Sequence, residues 1–135
     1  MLRNAGVQDV QVPETQLRPT LEQFAEFSDD GYDIIVGGKI TVEVKERRLR
    51  FTGPNDFPYP DMIVDVAHKR CHADVYIITS QGGEHAIVLD GTRRDDWFER
   101  SIFDRQKARM RNFVLAPRSA AMSFEAGVAH CFFSA

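Results

Sequence analysis

The sequence predicts an α/β fold: one domain built on a central mixed β-sheet flanked by helices. Three observations carry this. Residues 40–45 alternate strictly between apolar and polar after a Gly-Gly pair, residues 74–79 form a nearly continuous apolar run, and helix-capping signals stand before residues 21 and 93. At 135 residues the chain fits a single domain. Hydrophobic residues at 43% and charged residues at 27% exclude wholesale disorder. We divide it into an N-terminal arm, residues 1–18, and a folded domain, residues 19–135.

Residues 1–18 have no sustained period and include Pro13. Thr20 and Gln23 then form a capping box for a first helix, with Leu21, Phe24 and Ala25 as its apolar stripe and Glu22 and Glu26 one turn apart beside it. Ser28 to Gly31 ends this helix. Residues 32–36 and 39–47 read as two strands joined at Gly37-Gly38, a dipeptide that supplies the positive φ angles of a tight two-residue hairpin. A period of two sends Ile40, Val42 and Val44 to one face of the second strand and Thr41, Glu43 and Lys45 to the other. Arg47 continues the polar face.

Residues 52–60 are a loop, since Gly53, Pro54, Asn55, Pro58 and Pro60 interrupt any regular element. Phe57 and Tyr59 either pin that loop to the core or stack on unpaired bases. Residues 61–72 begin like a strand and end like a short helix. Residues 74–79 read as a strand buried on both faces, and Gln81-Gly82-Gly83 turns it into an antiparallel partner over residues 84–89. Thr92 and Asp95 then cap a second helix over residues 92–111, in which Trp97, Phe98, Ile102 and Phe103 face partly inward. A last strand covers residues 112–115, and residues 122–133 are an apolar tail that would finish the core or bury against a second subunit, making a homodimer.

The acid-x-Lys strand with Asp33 entering the strand before it resembles the PD-(D/E)xK nuclease superfamily. Further along, the likeness takes in residues 57–60, Val64-Asp65, residues 74–81 and Phe103-Asp104-Arg105, the pattern of small nuclease-like proteins of phages and prophages. The resemblance implies a restriction-endonuclease-like fold and a Mg²⁺- or Mn²⁺-dependent endonuclease that hydrolyses DNA. Under it, Asp33, Glu43 and Lys45 are catalytic, and Asp33, Glu43 and the carbonyl of Val44 hold the metal. Glu22, Glu26, Arg47 and Gln81 are accessory candidates. Tyr32 stands where the family's nominal proline would be. The alternative is a non-catalytic nucleic-acid-binding or virion-associated protein that retains the fold.

The net charge of −3 is unevenly spread. Acids dominate residues 1–33, whereas residues 100–118 carry Arg100, Arg105, Lys107, Arg109, Arg111 and Arg118 against Asp104 alone. We assign DNA contacts to Arg105, Lys107, Arg109 and Arg111. Two cysteines, Cys71 and Cys131, are too few for a disulfide framework. With His68, His72 and His130 they are zinc-ligand types, yet no C-x-x-C pair sets a spacing. No signal-type segment and no run of membrane-spanning length is present, so the expected location is the cytoplasm of the producing or infected cell, with no membrane partner.

Overall fold

Alternation over residues 40–46 builds the strand on which the rest is laid. In the computed structural model the described residues are 2, 6, 7, 10, 11, 34–67 and 73–133. Strands β2 (Ile34–Val36) and β3 (Ile40–Glu46) pair antiparallel, with Val36 opposite Ile40. The loop between them therefore has three residues, one more than expected. Gly37 and Gly38 take φ angles of 60° and 68°, and the Lys39 N–H donates to the Val36 carbonyl at 3.1 Å. The first helix expected from Thr20 lies outside the described residues.

Strand β1 (Val10–Gln11) pairs with β2 at the outer edge. On the other side β5 (Val75–Thr79) runs parallel to β3, with Glu43 opposite Tyr76 and Lys45 opposite Ile78. Every residue of β5 is buried, as its nearly continuous apolar sequence requires. Strands β6 (Ala86–Asp90) and β9 (Met122–Ser123) complete a mixed six-stranded sheet in the order β1-β2-β3-β5-β6-β9. A second, antiparallel sheet has the order β4-β8-β7, from β4 (Asp61–Val66), β7 (Phe98–Asp104) and β8 (Arg109–Pro117). Residues 61–66 thus resolve as strand.

Two apolar clusters hold this arrangement. Tyr76, Ile78, Ile87 and Leu89 of the first sheet meet Met62, Val64 and Ala116 of the second, with Phe51 and Phe57 beside them. Phe57 is therefore a core residue that pins the proline loop, while Tyr59 stays 55% exposed. The opposite face of the first sheet gathers Val36, Val42, Val75, Ile77 and Val88 under Val128 of helix α1 (Phe124–Val128). Ser123 caps that helix by accepting the Ala126 N–H at 3.2 Å. Gly127 lets it lie close: a Cβ there would come within 2.2 Å of the Val88 Cβ. The apolar tail so finishes the core, although Phe133 is 58% exposed.

The helix expected over residues 92–111 is replaced by a β-hairpin. Thr92 does not cap a helix; its hydroxyl donates to Asp90 Oδ1 at 2.6 Å and its N–H to the same oxygen at 2.9 Å, closing a turn after β6. Strands β7 and β8 then pair from Phe98 opposite Leu115 to Asp104 opposite Arg109. The run Arg105-Gln106-Lys107-Ala108 consists of good helix formers, but pairing with β4 and burial of Leu115 and Ala116 override that preference. Among the described residues α1 is the one α-helix, so the molecule is a mixed α/β structure made mostly of strands.

Candidate metal-binding acid and lysine cluster

Period-two alternation on β3 sets Glu43 and Lys45 on the face that looks toward the second sheet, next to Tyr76 and Ile78 of the inter-sheet core. Val42 and Val44 point the other way, into the second cluster. The polar face thus forms as expected, and it lies between the sheets. Glu43 is only 6% exposed. Lys45 Nζ lies 3.5 Å from Glu43 Oε2 and 3.4 Å from Asp65 Oδ1, so one ammonium bridges two carboxylates.

Asp65 reaches this position through a β-bulge. In β4, Ile63 pairs with Leu115 but Asp65 pairs with Val114, so the register slips by one residue at Val64. Strict alternation would put Asp65 on the face of Ile63; the slip turns it onto the face shared by Val114 and Ala116, which packs on the inter-sheet core. Asp65 is 6% exposed, and its Oδ1 also accepts the Val66 N–H at 2.8 Å.

Arg47 supports the bulge. Its Nη2 donates to the carbonyls of Ile63 at 2.9 Å and Val64 at 3.3 Å, the backbone oxygens on either side of the slip. Its own N–H donates to the Thr79 carbonyl at 2.9 Å, which ties the end of β3 to β5. Burial pushes the guanidinium below the usual arginine range, and the Asp65 charge opposes that shift. Arg47 also walls a cavity of about 370 Å³, together with Tyr59, Asp61, Ile63, Ile78 and Arg100. At the other end of β3, Thr41 fixes the register. Its N–H and hydroxyl donate to Asp74 Oδ2 at 3.1 and 3.2 Å, and the Asp74 N–H returns to Thr41 Oγ1 at 3.0 Å.

Of the residues singled out in the sequence, Glu43, Lys45 and Arg47 share one region. The Val44 side chain packs on the opposite face, against the second cluster. Asp33, Glu22 and Glu26 lie outside the described residues. Gln81 stands apart, exposed in the turn after β5, its N–H donating to the Leu49 carbonyl. Arg105, Lys107 and Arg109 are exposed at the tip of the second sheet, whereas Arg111 is tied to Asp104 at 2.9 Å. Asp65 is the member that sequence pattern did not place in the site: it appeared only within the longer block of likeness, and nothing in a run of β-formers announces a bulge.

His130 takes another partner. His130 Nε2 sits 2.8 Å from Asp90 Oδ2. Partial burial would raise the Asp90 carboxyl, but bonds from Thr92 and His130 outweigh it and hold the group below the usual carboxylate range. Burial, reinforced by the Asp90 charge, pushes the Cys131 thiol up to about 11, which makes it a poor ligand and nucleophile at neutral pH. His68, Cys71 and His72 lie outside the described residues, and among the described residues no group of three or more His, Cys, Asp or Glu is gathered to hold a metal ion. No helix of the described residues is long and apolar enough to cross a membrane. Comparison of the chain with protein-family models, with curated proteins and with solved structures finds no match.

Proposed function

We propose that this protein is a metal-dependent endonuclease that hydrolyses DNA phosphodiester bonds on a restriction-endonuclease-like core. The observation that carries the proposal is the Lys45 ammonium held between the Glu43 and Asp65 carboxylates. Two hard oxygen donors gathered around a cation fit Mg²⁺ or Mn²⁺, with Asp33 and the Val44 carbonyl as the further ligands that the sequence supplies. Such an ion, when bound, supplies Lewis acidity toward a water nucleophile and the scissile phosphate.

The chain's own groups take complementary parts. Lys45 stabilises negative charge developing on the phosphate and orients the attacking water. Glu43 and Asp65 bind the cation and keep Lys45 in place. Arg47 acts through Asp65, by fixing the bulge that aims it. No side-chain nucleophile is needed, and Ser80 is unsuited to be one: it is 3% exposed and its hydroxyl accepts the His85 N–H at 3.1 Å.

The burial of both carboxylates favours a second reading, a non-catalytic nucleic-acid-binding or virion-associated protein in which the same three charges only join the sheets. Incubating the purified protein with supercoiled, linear, single-stranded and branched DNA, with Mg²⁺ or Mn²⁺ or with chelator, separates the two. Cleavage that requires the metal is the expected result. DNA retention without cleavage supports the second reading, and neither retention nor cleavage rejects both.

A further inference from the structure

The β7–β8 hairpin outgrows the sheet it belongs to. Strand β4 accompanies β8 only as far as Phe113, opposite Val66. Beyond that point, among the described residues, the pairs Ser101 with Asn112, Ile102 with Arg111, Phe103 with Met110 and Asp104 with Arg109 form a two-stranded ribbon. Phe103 and Met110 stand directly opposite each other and are 56% and 58% exposed. Among the described residues they are two of the four exposed large hydrophobic side chains, and they share one face.

The ribbon's tip is fixed rather than slack. Asp104 Oδ1 accepts the N–H groups of Gln106 at 2.9 Å and Lys107 at 3.2 Å, and its Oδ2 holds Arg111 at 2.9 Å. Around this turn Arg105, Lys107 and Arg109 are exposed. The ribbon therefore presents two apolar side chains side by side, next to three solvated cations.

We infer that this ribbon is a DNA-contacting arm whose cations take backbone phosphates while Phe103 and Met110 pack against bases at an unstacked or branched step. The inference rests on the reading of the chain as a DNA-acting protein and names the substrate class it favours: distorted rather than regular duplex. A two-stranded ribbon fits the groove of DNA, and Phe and Met are among the side chains that proteins wedge between bases. Two side chains bordered by Ser101 and Asn112 are too small a patch for a stable contact with a second copy, which needs about 800 Å² per partner. The neighbouring cations match a polyanion.

The test is fluorescence anisotropy in chelator, with a regular duplex and a three-way junction that carries 2-aminopurine at the branch. The protein should prefer the junction and change the 2-aminopurine emission. Phe103→Ser combined with Met110→Ser, at positions exposed enough to leave the thermal melt unchanged, should cost the junction about tenfold in affinity at an unchanged salt slope. Arg105→Ala, Lys107→Ala and Arg109→Ala together should weaken both DNAs alike and flatten the slope by about 2 to 3. Wild-type binding by the apolar variant would overturn the inference. So would a shift of that variant from dimer to monomer with DNA affinity intact, or adsorption of the protein to anionic vesicles and not to DNA. If the arm variants behave as stated but no DNA is cut with Mg²⁺, the arm stands and only the nuclease reading falls.

Discussion

Strands β3 and β7 are each seven residues long and each mixes charged with apolar residues, yet the protein uses them in opposite ways. Strand β3 pairs with β5 from Val42 to Glu46 and packs on both faces, so Glu43 is buried, Lys45 is largely covered, and the two pair with each other and with Asp65. Strand β7 is the edge of the smaller sheet, and past Arg100 its ribbon leaves the cover of β4. There Arg105, Lys107 and Arg109 stay solvated and only Arg111 finds an acid. Charge enclosed between sheets becomes a defined set of ion pairs; charge on an uncovered ribbon becomes a field. The surroundings of a strand, more than its pattern, decide which of the two it makes.

Glu43 is the enclosed charge whose loss has the heaviest consequence. Glu43→Gln keeps the side chain's shape and removes its charge, so metal-dependent DNA cleavage should fall by at least about a thousandfold while the circular dichroism spectrum is retained. Full cleavage by this variant would mean that the enclosed cluster does no chemistry. Lys45→Ala asks instead what the enclosure costs. It leaves Glu43 and Asp65, each 6% exposed, facing one another without the shared cation. Loss of one partner from a largely buried pair should destabilise the fold by about 3 kcal/mol in urea denaturation. Lys107→Ala on the ribbon, by contrast, should leave stability within about 0.5 kcal/mol.

How much of this was legible in the sequence follows the same division. The Gly37-Gly38 turn, the two faces of β3 and the buried run of β5 could be read because each depends on local chemistry or on one period. The β7–β8 hairpin could not. Its tip has Ala108 at φ 52° where Gly or Asn would have signalled a turn, and its Arg, Gln, Lys and Ala residues favour helix. The site was half legible: Glu43 and Lys45 follow from alternation, but Asp65 needs a register slip stabilised by an arginine sixteen residues away from the first carbonyl it holds. Non-local hydrogen bonding of that kind leaves no periodic trace.

Arg47 acts on the enclosure, through the bulge that carries Asp65. Arg47→Met keeps the stem but leaves the Ile63 and Val64 carbonyls without their donor, which should cost about 2 kcal/mol of stability. If the guanidinium fixes the bulge, cleavage should fall as well although Arg47 is not a ligand, and Arg47→Lys should restore stability only in part because it lacks the fork. Cleavage unaltered in Arg47→Met would detach the bulge from the chemistry.

A further small effect belongs to the ribbon, at Ala108. Its φ of 52° is the left-handed region, where a Cβ crowds the following carbonyl at a cost of about 1 to 2 kcal/mol. Ala108→Gly removes that crowding but gives the unfolded chain more freedom, so the net gain should be about 0.5 kcal/mol, read as a small rise in Tm. The turn is also closed by Asp104, whose carboxyl the Arg111 guanidinium holds below the usual carboxylate range, with the Lys107 and Gln106 N–H groups adding to the shift. A lowered folded value means that this closure is present above the unfolded value and lost as pH falls through the folded one. Amide exchange at Gln106 and Lys107 should therefore gain protection in Ala108→Gly at neutral pH and lose it in acid in both proteins. A substitution that lowers Tm would show that the tip does not hold the left-handed geometry on which a fixed, cation-bearing ribbon depends.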